Sequence, residues 1–331
     1  MKTLSTAAIL ILTLSACSAS NSPETRTVQL SEPDSGSAED DSSLVSPSRL
    51  NAQLVEHTDF DSEYVQARNI TVWLPDGYLP YGDQRYPVIY AHDGQNLFEP
   101  GRSYGGVEWG LDETAERMMR TGDLPSAIIV GIWNTDERWQ EYAPQKVIES
   151  LSGNTSSEWL GPTLPTLKAD AYLKFITEEL KPFIDETYQT APAREQTYIM
   201  GSSMGGLISL YAMAEYPDTF SRAAAVSIHW PLTEPDGNLA QQADAAMQAY
   251  LSTSGLDRTR QTIWFDHGTE TLDAAYPPHA AAMERWFRAQ GWGEDEAIFR
   301  AYPGTDHSEG AWAARADEIL AFLLSEDHSS D

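Results

Sequence analysis

The stretch Gly201-Ser202-Ser203-Met204-Gly205 follows the apolar residues 197–200 and precedes a helical pattern over residues 207–216. A strand-forming run, a turn of small residues and a helix-forming run in this order are typical of a sharp strand–turn–helix junction. Gly201 and Gly205 allow the strand and the helix to approach each other closely, while the serine between them takes a strained backbone conformation. Ser203 is therefore predicted to stand exposed at a helix N-terminus.

The predicted position of Ser203 suits nucleophilic attack on an ester carbonyl. The backbone N–H of Met204 and the positive end of the helix dipole can stabilise the oxyanion that such an attack creates. A G-x-S-x-G pattern also occurs in ordinary glycine turns, so its meaning depends on the elements around it. Here the elements have the required order, and the sequence predicts an acyl-transfer enzyme with Ser203 as its nucleophile.

Strand-like apolar runs alternate with helical patterns along most of the chain. This alternation predicts an α/β fold with a mainly parallel central sheet and helices on both faces. Predicted strands cover residues 69–74, 86–91, 127–132, 197–200, 223–227, 262–265 and 297–302. Predicted helices cover residues 111–120, 169–188, 207–216, 240–251, 278–290 and 311–324. A serine after one strand, with an acid and a histidine after later strands, is the layout of the α/β-hydrolase fold.

The N-terminal residues predict export and a lipid anchor. Residues 1–16 combine Lys2, an apolar stretch and small residues, which is typical of a secretory signal peptide and too short to span a membrane. Leu14-Ser15-Ala16-Cys17 resembles the lipobox of bacterial lipoproteins, which implies cleavage before Cys17 and lipid attachment there. A plain signal peptide with an incidental cysteine is the alternative. Ser18 after the cysteine favours, by analogy, the outer membrane of a Gram-negative bacterium.

Composition divides the rest of the chain. Residues 17–47, rich in Ser, Asp, Glu and Pro, are predicted to be a disordered acidic tether that starts at the lipidated cysteine. Residues 48–325 are the predicted esterase domain and residues 326–331 a polar tail. The formal net charge of −29 argues against nucleic acid as a partner. Because the chain has a single cysteine, the fold must be stabilised by its core and not by a disulfide.

Five histidines follow the serine, at positions 229, 267, 279, 307 and 328. His328 lies in the polar tail and His279 inside a helical pattern, whereas His229 and His267 stand at the ends of earlier strands. His307 follows the last predicted strand in a loop, where the base of a hydrolase is expected. We therefore predict that His307 is the general base.

The acid is expected just after the strand that ends at Phe265. Three carboxylates compete there: Asp266, Glu270 and Asp273. Asp266 is close enough to the strand end to have a structural role, so Asp273 is preferred, with Glu270 as the alternative. The acid accepts the His307 ring N–H and fixes its tautomer.

A second oxyanion donor is expected in residues 91–98, which follow the strand at 86–91. Gly94 permits a tight backbone path, so the N–H of Gln95 is the candidate donor beside that of Met204. The alternative is a purely structural turn, in which Asp93 hydrogen-bonds local amides. Three tryptophans near strand ends are candidates for the substrate pocket wall, or else core residues: Trp133, Trp139 and Trp230.

Residues 72–78, 92–98, 108–112, 201–206 and 306–309 together carry a family resemblance. The chain resembles, over residues 54–324, the putative-esterase (esterase D-like) family of α/β-hydrolases, which includes enterochelin, feruloyl and acetyl-xylan esterases. In the acid signature Gly-Thr-x-Asp of this family, the present chain has Thr271 in place of the aspartate. Residues 134–142 also resemble the family, which implies that Arg138 and Glu141 shape the pocket wall. A surface ion pair is the alternative.

The expected reaction is hydrolysis of a carboxylic ester through a Ser-His-acid triad and an acyl-enzyme, with no metal or organic cofactor. The neighbouring His–Asp pairs of the chain do not suggest a metal site, because adjacent residues on a strand point to opposite faces. The expected substrate is a small-molecule or polysaccharide ester, either a feruloyl or acetyl carbohydrate ester or a siderophore ester. Two alternatives remain: an acyltransferase that uses the same triad, and a non-catalytic binding lipoprotein of the cell envelope.

Overall fold

The computed structural model describes residues 24–28, 52–152, 166–232 and 238–324, which contain one nine-stranded sheet. The strands are β1 Glu24–Val28, β2 Gln53–Phe60, β3 Arg68–Leu74, β4 Val88–His92, β5 Ile128–Ile132, β6 Thr197–Ser202, β7 Arg222–Val226, β8 Thr262–His267 and β9 Ala297–Ala301. β3 to β9 match the strands predicted from sequence, whereas β1 and β2 were not predicted.

The sheet has the strand order β1-β2-β3-β5-β4-β6-β7-β8-β9. β1, β2, β3 and β5 pair with one another in antiparallel fashion, and every pair from β5 through β4 to β9 is parallel. The predicted mainly parallel sheet is thus confirmed. Because the parallel strands end at the same edge, the segments that follow β4, β6, β7, β8 and β9 meet there.

Helices cover both faces of the sheet. They are α1 Leu111–Thr121, α2 Arg138–Tyr142, α3 Gln145–Ser152, α4 Ala169–Lys174, α5 Lys181–Thr187, α6 Met204–Glu215, α7 Asn238–Leu251, α8 Pro277–Ala289, α9 Glu309–Ala313 and α10 Ala316–Leu324. A π-helical segment, Phe175–Leu180, joins α4 to α5, so the helix predicted over residues 169–188 is continuous. The helix predicted over 311–324 is instead divided, because Arg315 turns inward between α9 and α10 to pair with buried Asp266.

Side chains of successive strand residues enter two separate cores. On β5, Ile128 and Val130 face the core that contains α3 to α8, whereas Ile129 faces the core that contains α1 and α10. Residues 204–214 of α6 are buried on all sides. A helix that is apolar all round must lie inside the protein. The N-terminus of buried α6 therefore lies at the edge where β6 ends.

The tether predicted for residues 17–47 differs from the structure in one place. Residues Glu24–Val28 form β1, which pairs Glu24 with Thr58 and Val28 with Leu54. The sequence ETRTV contains β-branched residues that favour strands, and β2 offers an open edge for pairing. Residues 1–23, which include Cys17, residues 29–47 of the predicted tether and residues 325–331 lie outside the described residues. None of the described helices is long and apolar enough to cross a bilayer.

Candidate active site

Ser203 lies at the junction of β6 and α6, with the positive backbone angle φ 57°. The strain is held by backbone hydrogen bonds, among them one from the Ser203 N–H to the Val226 carbonyl at 2.9 Å. A Cβ atom at Gly201 would lie 2.9 Å from the Gly205 carbonyl carbon, so only glycine fits there. At Gly205 the nearest atom would be 3.4 Å away, so glycine is less strictly required. The structure thus has the strained junction that the motif predicts.

His307 lies in the loop after β9, and its Nδ1 is 2.5 Å from Oδ1 of Asp273. Asp273 belongs to a 3₁₀ turn, Thr271–Ala275, that follows β8. The His307 backbone N–H donates to the Thr271 hydroxyl at 2.9 Å. The threonine found in place of the family aspartate therefore holds the histidine loop through its side chain.

The Asp273 carboxylate is fully buried and surrounded by donors. Its Oδ2 accepts hydrogen bonds from the Ser227 hydroxyl at 2.7 Å and the Gly268 N–H at 2.6 Å. Burial alone would raise the pKa of Asp273, but the hydrogen bond and charge of His307, together with these two donors, lower it below its ordinary value. Asp273 is therefore ionised at neutral pH and able to stabilise a protonated His307.

The two other carboxylates after β8 lie elsewhere. Glu270 is exposed to solvent. Asp266 is buried and accepts hydrogen bonds from the Trp264 indole at 2.7 Å, the Ser227 N–H at 2.8 Å and the Arg315 guanidinium at 2.7 Å. The structure thus brings Asp273 to His307, while Asp266 connects β7, β8 and the start of α10.

Residues Asp93 to Asn96 form the turn in which the sequence predicts a second oxyanion donor. Asp93 has φ 57°, and a 3₁₀ turn covers Gly94–Asn96. A Cβ atom at Gly94 would lie 2.4 Å from the carbonyl carbon of Gly131 on β5, so contact with the sheet is what requires glycine here. The first N–H groups of a helical turn have no partner inside it, which leaves the Gln95 N–H available to a ligand.

We expect Gly94→Ala to lower kcat by about 100-fold, the usual effect of losing one oxyanion donor. The added methyl group must push the turn off Gly131, which displaces the Gln95 N–H. Steady-state ester hydrolysis measures the effect. Gly101→Ala is the matched control, because a Cβ atom there meets nothing within 4 Å. Equal activity of the two variants would contradict a role for the turn.

Arg138 holds this turn from below. Its Nε and Nη2 lie 2.7 and 2.8 Å from the two carboxylate oxygens of Asp93, which also accepts from the Asn134 amide at 2.5 Å. Burial would raise the pKa of Asp93, but the charge and hydrogen bonds of Arg138 lower it. The implied partner Glu141 is fully buried and pairs instead with Arg68, at 2.5 Å. Arg138, whose side chain is partly exposed, therefore positions the turn, whereas the Arg68–Glu141 pair is fully buried.

The three predicted pocket tryptophans differ in burial. Trp230 is 2% exposed and packs against Phe265 in a tilted ring contact with 5.3 Å between the centroids, as a core residue does. Trp133 and Trp139 are half-buried. The Trp133 indole donates to the Thr71 hydroxyl at 2.9 Å, while Trp139 packs against the core. Only Trp133 and Trp139 thus offer surface to a ligand.

Asn96 links the turn to both sides of the site and was not predicted. Its side-chain oxygen accepts from the Tyr104 N–H at 2.9 Å, and its amide approaches Glu309 of α9 at 3.5 Å. Burial raises the pKa of Glu309, and the charge of Asp93 raises it further, while His307 and Arg138 lower it. Glu309 therefore lies close both to His307 and to the turn at residues 93–96.

Tyr276 is the second residue that the sequence did not indicate. It contacts the His307 ring edge-on, with centroids 5.9 Å apart, and its hydroxyl is hydrogen-bonded to the Ser203 side chain. Ser203 and His307, which are more than 100 positions apart in the chain, thus meet at one side chain. Within the described residues, no cluster of three or more His, Cys, Asp or Glu side chains is arranged to hold a metal ion.

The chain is similar to known esterases. A family model described as "Putative esterase" matches residues 62–323. The uncharacterized protein YbbA of Bacillus subtilis (strain 168) is 28% identical over 268 residues, which cover 80% of this chain and 95% of YbbA. The ferri-bacillibactin esterase BesA of the same organism is 33% identical over 157 residues, covering 44% of this chain and 49% of BesA, about half of that relative.

Among solved structures, a ferulic acid esterase superposes with a TM-score of 0.59 at 20% sequence identity, covering 82% of this chain and 98% of the esterase. This likeness concerns the fold, and it agrees with the strand order and the serine junction described above. The predicted α/β-hydrolase fold is therefore confirmed.

Proposed function

Because this chain belongs to the Putative esterase family and is a hydrolase of carboxylic ester bonds, we propose that Ser203, His307 and Asp273 are its catalytic triad. The observation that carries the proposal is the 2.5 Å hydrogen bond between His307 and buried Asp273, beside a serine held at φ 57°. Nucleophile, base and orienting acid then follow different strands of one sheet edge, in the order that this fold uses.

In the proposed first half-reaction, the Ser203 oxygen attacks the ester carbonyl while His307 Nε2 takes the hydroxyl proton. The negative charge moves to the carbonyl oxygen, where the N–H groups of Met204 and Gln95 stabilise it. His307 then gives its proton to the leaving alcohol as the carbon–oxygen bond breaks, which leaves Ser203 acylated. Asp273 stays ionised and stabilises the imidazolium throughout.

In the second half-reaction, water takes the place of the alcohol. His307 removes a proton from the water as its oxygen attacks the acyl carbon, and then returns a proton to Ser203. Free acid and resting enzyme are the products. An alcohol in place of this water gives acyl transfer by the same steps, so the nature of the acceptor separates hydrolase from transferase.

We propose a feruloyl or acetyl ester of a carbohydrate as the substrate, with a siderophore ester as the second candidate. Cations around the turn are already paired: Arg138 with Asp93, Arg102 with Glu99, and Lys168 with Glu137. This pairing, on a chain of net charge −29, favours an uncharged ester over a polyanionic one. The likeness to the ferri-bacillibactin esterase is what favours the siderophore.

An ester panel tests the proposal with the mature chain. Methyl ferulate, an acetylated xylo-oligosaccharide and an anionic catecholate ester are compared as substrates, and products are analysed with and without an added alcohol. We expect hydrolysis of the neutral esters and labelling of the protein by a fluorophosphonate. A folded protein that hydrolyses none of them and takes no label would instead favour the binding lipoprotein, and acyl-alcohol as main product would favour a transferase.

We also propose that the chain is exported and anchored through lipid on Cys17, in the outer membrane of a Gram-negative bacterium. The support is the lipobox-like sequence that ends at this cysteine. Metabolic labelling with a fatty-acid analogue is expected to mark the parent and not Cys17→Ser. Equal labelling of both would exclude this anchor.

A further inference from the structure

Tyr276 touches each member of the proposed triad. It ends the 3₁₀ turn that contains Asp273, and its backbone N–H donates to the Asp273 carbonyl at 3.0 Å. Its ring lies at 87° to the His307 ring, with the centroids 5.9 Å apart. Its hydroxyl is hydrogen-bonded to the Ser203 side chain. The side chain is fully buried, which is unusual for a polar group without a role.

His229 is the other partner of the Tyr276 hydroxyl, which lies 2.7 Å from its Nδ1. The Ser203, Tyr276 and His229 side chains are therefore joined through the single Tyr276 hydroxyl. The His229 backbone N–H in turn donates to the Ser203 carbonyl at 3.2 Å. Ser203, Tyr276 and His229 thus form a closed loop of hydrogen bonds around the nucleophile.

Tyr276 is not a base in this arrangement. Burial raises its pKa, and the charge of Asp273 raises it further against the smaller opposing effect of Ser203. The hydroxyl is therefore protonated and neutral at neutral pH. Its effect on the reaction must come from where it holds the Ser203 oxygen.

We propose that Tyr276, held by His229, is a positioning residue that fixes the Ser203 hydroxyl and the His307 ring for reaction. A serine side chain has three staggered rotamers, and a fixed hydrogen-bonding partner selects one of them. With its oxygen held in one rotamer, Ser203 needs only to turn its O–H bond toward His307 when the ester arrives. This inference deepens the proposed function and rests on it.

Tyr276→Phe is the direct test, because it keeps the buried ring and removes only the hydroxyl. We expect kcat to fall about tenfold, the effect of about one lost hydrogen bond, while KM stays within about twofold. The rate of fluorophosphonate labelling, which reports Ser203 directly, should fall by the same factor. A merely structural tyrosine would lower the melting temperature without slowing the labelling.

His229 provides the matched variants. His229→Leu, which removes the hydrogen-bonding partner of Tyr276, should reproduce the loss, and His229→Asn, which keeps a hydrogen-bonding group near Nδ1, should recover most of it. The double variant Tyr276→Phe with His229→Leu should be no slower than the slower single variant, since both remove one hydrogen-bonded chain. If the two single-variant losses in kcat multiplied in the double variant, the proposal would be overturned.

Tyr211→Phe controls for the loss of a buried hydroxyl. Tyr211 is buried on α6 and donates to Asp170 at 2.6 Å, away from the nucleophile. It should lose stability and keep the parent kcat. If the parent is active and Tyr276→Phe is labelled and turns over within twofold of it, this inference alone is wrong. If the parent neither hydrolyses esters nor is labelled, the proposed function is wrong as well.

Discussion

Ser203→Ala is expected to lower kcat for p-nitrophenyl acetate on the order of 10⁵-fold, because no other group can form the acyl-enzyme. The Ser203 backbone, at φ 57°, is held by hydrogen bonds with Val226 and His229 that alanine keeps, so the fold should stay intact. Residual turnover would then come from binding and the oxyanion donors alone. Steady-state kinetics and fluorophosphonate labelling, each with a melting curve, measure the effect.

The preceding residue supplies the matched control. Ser202 is a buried residue of β6, whereas the oxygen of Ser203 reaches Tyr276 beyond the end of that strand. Ser202→Ala should keep kcat within about threefold of the parent, as expected for a small truncation outside the chemistry. If labelling were lost in Ser202→Ala, or kept in Ser203→Ala, then Ser203 would not be the nucleophile.

Asp273→Asn should lower kcat by about 10³- to 10⁴-fold, through the His307 tautomer. The Ser227 hydroxyl and Gly268 N–H both donate to Oδ2, so the asparagine oxygen must face them and its NH₂ must face His307. Nδ1 of His307 then has to accept a hydrogen bond, and its proton moves to Nε2. That nitrogen can no longer take the Ser203 proton.

Glu270→Gln is the control for this second variant. Glu270 is an exposed carboxylate only three positions away, so its loss changes the local charge equally and leaves the His307 partner in place. We expect activity within about twofold of the parent, the normal range for a surface substitution. A large loss in Glu270→Gln with little in Asp273→Asn would make Glu270 the acid.

The positions of Ser203 and His307 could be predicted from sequence because each depends on local order: a small-residue turn between strand and helix, and a loop after the last strand. Asp273 could not be separated from Glu270 by the same reasoning. The structure places Asp273, and not the exposed Glu270, against His307, and the Ser227 hydroxyl that also holds Asp273 comes from the end of a different strand. Position along the chain does not carry this information.

Arg138, Tyr276 and His229 show the same limit more strongly. Arg138 looked like a wall residue or a surface pair, but its partner is Asp93, 45 positions earlier. Tyr276 and His229 are 47 positions apart and meet through a single hydroxyl. Such contacts between distant side chains leave no periodicity in the sequence. The location of Trp230 could not be predicted for a related reason, since a large aromatic residue after a strand suits a pocket and a core equally.

β1 also sets how far the catalytic domain can travel from an anchor. A free tether over residues 17–47 would allow a maximal reach of about 100 Å, at about 3.5 Å for each residue. Because Glu24 is already paired in the sheet, only seven residue steps separate Cys17 from the folded body, or about 25 Å at full extension. A chain lipidated at Cys17 would therefore stay close to the bilayer surface. It would depend on esters that diffuse to it, because its tether would be too short for it to reach distant ones.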